Sequence, residues 1–365
     1  MGLLLNQASV DSRLHWTLDR LLAAGAQVVA LFGPEHGLRG EAQAGAHVGH
    51  ARHPRLGVPI YSLYGEDRKP RAEMLAGIDL FLCDLPDGGS RYWTFLYTMA
   101  YALEACGQAG IPFLLLDRPN PIGGLQVEGN LVTEAFRSFV GGYPLPIRHG
   151  MTMGEIARWL AGRHGIGGGV LEVVPAQGWT RDQYFQDTGL LWASPSPNIP
   201  SPETLILYPG TCLVEGTNCS EGRGTTHPFQ WIGAPWIDAD ALAADLNRRA
   251  LPGSYFRPVY FTPTFSKHAH ELCAGVEVHV LDNRVFQPVR VGLHLLAALR
   301  AQNPERFAWI ESDGRYFIDL LAGTDQLRRS LEQGVFPEEI WRGWEQELQS
   351  FLPERQQFLL YPESR

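Results

Sequence analysis

The sequence has no run of apolar residues approaching the roughly 20 that a membrane-spanning helix needs, and no cluster of lysine and arginine. With a formal net charge of -9, the second absence excludes the basic stripe by which proteins hold nucleic acid. No membrane or nucleic-acid partner is expected, and a partner should be small or neutral. Cysteines number only five. They are scattered, show no zinc-like spacing and fall mostly in apolar runs such as "DLFLCDLP", so buried free thiols are expected rather than disulfides. The opening "MGLLLNQAS" lacks the basic n-region of a secretory signal, which predicts a cytoplasmic location for the chain as given.

Equally absent are a G-x-G-x-x-G after the first strand, a G-x-x-x-x-G-K-[ST], a G-x-S-x-G elbow and an H-E-x-x-H helix. Dinucleotide, nucleoside-triphosphate, serine-hydrolase and zincin chemistry lose their usual carriers. No cofactor is called for.

What is present is a chain of 365 residues with 45% hydrophobic and 19% charged residues. That length exceeds what one core normally supports, so two domains are expected. From residue 3 to 119 short apolar runs alternate with segments of helical period, the pattern of βα units on a parallel sheet. Strands are predicted at 3–5, 27–32, 59–64, 79–83 and 111–116, with helices at 11–24, 70–76 and 92–108. A further helix opens at Thr152 with a capping box closed by Glu155 and leads to the strand "GVLEVVPA". The proline-rich "WASPSPNIPSP" at 192–202 reads as a rigid loop. Beyond it the βαβ rhythm is lost. Helices are predicted at 238–249, 289–301 and 338–351, with strands at 255–261 and 275–281. The pattern predicts an α/β chain: a parallel sheet of βα units in the first half and a smaller α+β domain after it.

Three predicted strands end in polar clusters: Glu35-His36 inside "GPEHG", Asp84 and Asp87 before "GGSR", and Asp117-Arg118 with Asn120. In an open parallel sheet ligands bind beyond the carboxyl ends of the strands, so these ends are expected to point at one cleft. Blander readings stand beside this one. Asp87 and Ser90 also suit the N-cap of the next helix, and Asp117-Arg118 a local ion pair. Glu35 resists such a reading, because Pro34 and Gly37 fix it in a loop where no helix needs it. In the second half "VEGTNCSEGRGTT" spaces Glu215, Asn218, Glu221 and Arg223 with glycines that let backbone approach a ligand. "VEGN" around Glu128 repeats the theme. A surplus of carboxylates around a cleft, with arginines and the aromatics Tyr64, Tyr92 and Trp93, suits glycoside hydrolysis, which needs one carboxyl to protonate the leaving oxygen and a second group opposite. Two alternatives remain open: a metal-dependent hydrolase with Glu35, His36, Asp84 and Asp117 as ligands, and a sugar-binding protein without catalysis.

The stretches "LFGPEHGLRGEAQAG", "DLPDGGSRYWTFLYTM", "LLDRPNPIGG", "GYPLPIRHGMTMGEIA", "PSPNIPSPETLILYPGTCLVEGTNCSEGRGTTHPF" and "ELCAGVEVHVLDNRVFQPV" together resemble the exo-β-N-acetylmuramidase family, formerly a domain of unknown function, in order and over nearly the whole chain. The resemblance implies a Rossmann-like N-terminal domain over 1–211, a parallel sheet with helices on both faces, and a smaller C-terminal α/β (α+β) domain over 212–365, together with release of N-acetylmuramic acid from the non-reducing end of peptidoglycan fragments. It implies Glu35 as catalytic acid or acid/base with His36 as its tuning neighbour, and Glu215 or Asp87 as the second carboxylate. Arg91, Arg118 and Arg223 become candidates for the lactyl carboxylate of muramic acid. Asp84, Asp117, Asn120, Glu128, Asn198 and Asn218 become further candidates for substrate contact. Members of the family are often exported.

Overall fold

A computed structural model describes residues 1–364. Seven strands form the main sheet: β1 (Gly2–Leu5), β2 (Ala30–Gly33), β3 (Ala51–Arg52), β4 (Pro59–Ser62), β5 (Phe81–Asp84), β6 (Phe113–Leu116) and β7 (Leu171–Val174). Their order is β3-β4-β2-β1-β5-β6-β7, all parallel except the short edge strand β3. Alternation along each strand sends side chains to opposite faces. Leu3, Leu5, Leu31 and Leu82 pack with Leu18 and Leu21 of α1 (Thr17–Ala23) on one face. Leu4, Phe32, Phe81, Cys83 and Phe113 pack on the other face with α2 (Thr94–Ala109) and α3 (Met153–His164). The doubly wound, Rossmann-like arrangement expected from the sequence is therefore present.

The second half holds a three-stranded antiparallel sheet, order β8-β10-β9, made of β8 (Trp231–Ala234), β9 (Ser254–Phe261) and β10 (Cys273–Val280). Around it lie α4 (Pro202–Thr211), α5 (Ala239–Arg248), α6 (Pro288–Gln302), α7 (Phe317–Ala322), α8 (Gln326–Glu332) and α9 (Pro337–Gln356), with a two-stranded ribbon of β11 (Glu311–Ser312) and β12 (Arg315–Tyr316) before α7. One hydrophobic cluster runs unbroken from β5 and α2 through α4 and α6 to α9. All five cysteines are buried and free. Among the described residues no helix is long and apolar enough to cross a membrane.

The capping box at Thr152 forms as its sequence promised: the Glu155 N–H donates to the Thr152 hydroxyl, and the Glu155 carboxylate accepts from the Thr152 N–H. Elsewhere the local signals overreached. Residues 70–76 form only a 3-10 turn at Ala72–Met74, and α1 begins at Thr17, because the Asp11 side chain instead caps a turn through the N–H groups of Arg13 and His15. Neither Asp87 nor Ser90 caps α2. That helix starts at Thr94, after Trp93, with no side-chain cap. Helix α4 went unforeseen, since its prolines suggested irregular chain. Pro202 occupies the first turn, where its missing N–H costs nothing, and Pro209 sits near the other end.

Candidate active site

Glu35 and His36 follow β2 directly and face a cavity of about 480 Å³ between the main sheet and the second half. Both are buried, and His36 holds a left-handed backbone at φ 74°, a conformation that non-glycine residues keep mainly where the surroundings impose it. Three donors converge on the Glu35 carboxylate. The Gly45 N–H donates to Oε1 at 3.0 Å, the Thr94 hydroxyl to Oε2 at 2.6 Å, and the Tyr64 phenol also hydrogen-bonds it. Burial and the neighbouring glutamate push the Tyr64 hydroxyl well above its ordinary value, so it stays a donor. His36 Nδ1 lies 2.9 Å from the Ala42 carbonyl. A carbonyl only accepts, so Nδ1 carries the proton and a neutral ring offers Nε2 as acceptor. Burial pushes the imidazole down from its usual value against the opposing charge of Glu35.

The opposite wall comes from the turn after α4, the loop that leads into β8 and the loop between β9 and β10. Glu215, on a 3-10 turn (Cys212–Gly216), accepts from Arg223 Nη2 at 2.7 Å. Arg223 Nε lies 3.3 Å from Glu221, and Glu221 pairs with Lys267 Nζ at 2.9 Å. Lys267 is fixed further by the carbonyls of Val214, Glu215 and Cys219. Acid and base thus alternate along one string, and the two flanking carboxylates hold the Arg223 guanidinium above its already high ordinary value. The Arg223 Nη1 is buried without a partner. An aromatic cluster of Tyr92, Trp93, Tyr208 and Phe229 packs edge to face beneath it, with the Arg223 guanidinium 4.9 Å from the Phe229 ring centre. Asn198 completes the rim, bonded to the Gln43 side-chain oxygen at 3.0 Å.

The single cleft expected from three strand ends is in fact divided. Asp84, Asp87, Asp117 and Arg118 line a separate cavity. The partition is the proline-rich segment around Pro195, which the side chains of Asn6 and Gln7 hold by its carbonyls. Asp84 is saturated by Arg118, at 2.5 and 2.8 Å, and by the Thr17 hydroxyl at 2.6 Å. Asp117 joins β6 to the start of α3, accepting from the Thr152 hydroxyl, the Gly154 N–H and the Tyr361 phenol. Burial pushes its carboxyl up to about 6. The four residues proposed as metal ligands are therefore split between two cavities. Among the described residues no group of three or more His, Cys, Asp or Glu is placed to hold a metal ion.

Four further candidates face neither the Glu35 cavity nor its rim. Arg91 is fully buried, its guanidinium donating to the carbonyls of Asn130, Leu145 and Leu321. Asn120 bridges the Met151 carbonyl and the Ile122 N–H. Glu128 pairs with buried Arg148 at 2.8 Å. Asn218 pins the chain at Arg306 and Ala308. Each is tied to neighbouring backbone or side chains of the fold, although Arg91 Nε stays buried without a partner and Asn218 is only half-buried. Of the three arginines considered for a substrate carboxylate, only Arg223 shares the cavity with Glu35. Sequence reasoning missed Thr94 and Lys267. Lys267 had a signal: it is one of only two lysines in the chain.

The family profile described as exo-β-N-acetylmuramidase NamZ, N-terminal, matches residues 1–203, and its C-terminal counterpart matches residues 206–361. The chain belongs to this family. Among its relatives is the peptidoglycan β-N-acetylmuramidase NamZ of Bacillus subtilis (strain 168), 45% identical over 362 residues, a match spanning 99% of this chain and 86% of the relative. Two crystal structures of DUF1343 family proteins from Bacteroides fragilis NCTC 9343 are similar throughout. One has a TM-score of 0.91 at 36% identity, covering 99% of this chain and 93% of the other. The second has a TM-score of 0.75 at 29% identity, covering 100% and 94%.

Proposed function

We propose that the chain is a glycosidase that releases N-acetylmuramic acid from the non-reducing end of peptidoglycan-derived fragments. The observation that carries the reading is that Glu35 and Glu215, from different halves of the chain, line one cavity together with Arg223, whose Nη1 is unpartnered, and an aromatic cluster. The name of the Bacillus relative supports it.

In this reading Glu35 gives a proton to the glycosidic oxygen and later takes one from water. Tyr64 and Thr94 hold it in place, and their hydroxyls can turn to follow its change of state. Glu215, hydrogen-bonded to Arg223, supports the positive charge that develops at the anomeric carbon. Arg223 Nη1 receives the lactyl carboxylate, for which a guanidinium already desolvated by its surroundings is a strong donor. His36 Nε2 accepts from a substrate hydroxyl or amide.

The test is turnover of a chromogenic β-N-acetylmuramide. Glu35→Gln keeps the shape and the three donors and should lower kcat by roughly 10²–10⁴-fold, the usual worth of a general acid. Undiminished turnover would overturn the role given to Glu35.

A further inference from the structure

The second cavity, of about 490 Å³, sits at the carboxyl ends of β1, β5 and β6. The chain order reverses at this point, because β1 is flanked by β2 on one side and β5 on the other. In doubly wound sheets that crevice is where ligands bind, and the volume falls within the range of small-molecule sites. The walls are apolar, built from Leu21, Leu116, Leu191 and Trp192 with several prolines.

Its polar groups are unevenly satisfied. Asp84 and Asp117 have all the partners described above. Asp87 does not: its side chain is buried, and neither carboxyl oxygen makes an aligned hydrogen bond. The N–H groups of Gly88 and Gly89 lie near enough to favour its charge, and His149 Nε2 stands 3.4 Å away. His149 brings no positive charge, because burial pushes its imidazole down to about 3. The Trp192 indole N–H, packed edge to face on Phe185 at 4.9 Å, is likewise buried without a partner. Arg118 spends Nε and Nη2 on Asp84, which leaves Nη1 for a ligand. A buried carboxyl without a cation, a guanidinium with a spare donor and an apolar wall between them are the complement of one kind of molecule.

We propose that this cavity binds a small zwitterion with an apolar body, an amino acid or the end of a short peptide, with its ammonium on Asp87 and its carboxylate on Arg118. The indole N–H of Trp192 then meets a ligand carbonyl or carboxylate oxygen. The site is independent of the glycosidase reading, because its test is binding and not turnover.

Calorimetric titration of the full chain with L-alanine, with L-alanyl-L-alanine and with N-acetyl-L-alanyl-L-alanine amide reads the site directly. A zwitterion should bind saturably at one site, and the blocked dipeptide should bind about tenfold or more weakly, the worth of a charge-assisted hydrogen bond. Asp87→Asn should weaken the zwitterion to the same degree, and Trp192→Phe should weaken it too, while Glu35→Gln leaves binding intact. Tighter binding of L-alanine identifies a free amino acid, tighter binding of the dipeptide a peptide end, and either supports the proposal. No saturable binding of either zwitterion, equal binding of the blocked dipeptide, or wild-type affinity in both Asp87→Asn and Trp192→Phe overturns it.

Discussion

Arg223 is held by two carboxylates yet keeps one buried nitrogen unpaired. An unpartnered donor of this kind costs stability in the empty protein and favours any ligand that supplies an acceptor. Arg223→Lys retains charge but loses the planar fork. It should raise KM for muramides roughly tenfold or more, the loss of one charged hydrogen bond, while leaving KM for the lactyl-free glucosaminide unchanged, as steady-state kinetics on the two substrates will show. Asp87 carries a prediction of the opposite kind. Burial lifts its carboxyl from the ordinary 3.8 to about 7. Between those values the folded chain keeps a proton that the unfolded chain has lost, so this group's contribution to stability falls as pH rises through that window. Asp87→Asn removes the dependence. Urea unfolding should therefore show the variant gaining on the wild type between about pH 4 and about pH 7, by at most a few kcal/mol. A difference that stays flat with pH would refute the buried, raised carboxyl. Residues of the site were legible in the sequence where rigid backbone fenced a charge, as Pro34 and Gly37 do around Glu35. The pairing of Lys267 was not, despite the rarity of lysine in the chain, because it reaches Glu221 from a loop 46 positions away. Arg91 and Glu128 sit in motifs of the same polar character, and only burial and partners reveal that they hold the fold instead.

At the scale of elements, the second half depends on close backbone approach. Helices α4 and α6 cross at Gly210 and Gly292, where a Cβ on Gly210 would stand 1.8 Å from the Pro288 carbonyl oxygen. No side chain can yield there, since the obstacle is backbone. Gly210→Ala must separate the helices and should cost about 1–3 kcal/mol or more, seen as a lower denaturation midpoint. It should also disturb turnover, because α4 runs directly into the turn that carries Glu215 and Tyr92 donates its hydroxyl to the Pro209 carbonyl. This crossing explains why α4 was hidden. Its sequence, "PETLILYPGT", is shaped by the helix it touches and not by a polar and an apolar face of its own; eight of its ten residues are buried. The parallel strands were legible for the converse reason. Being buried on both faces, they read as short continuous apolar runs.

Across the whole molecule, the two halves are joined by buried polar ties as well as by the shared core. Arg91, before α2, donates to the Leu321 carbonyl of α7, and Trp159 of α3 donates to Glu354 of α9 at 2.6 Å. Tyr361 donates to Asp117. Unfolding should accordingly show one transition by both fluorescence and circular dichroism. Tyr361→Phe, which deprives a buried carboxyl of one donor, should lower stability by about 1–3 kcal/mol without splitting that transition; two resolved transitions would contradict the coupling. The βα rhythm of the first half announced a doubly wound sheet, but nothing in it announced that the chain returns so late. Arg181 and Asp182 donate their backbone N–H groups to the carbonyls of Pro362 and Glu363, beside the Tyr361 phenol on Asp117. A ribosome making this protein therefore releases the first domain with one of its central junctions still open. Strand β6 and helix α3 wait, through the synthesis of the whole second half, for the Tyr361 segment that locks them.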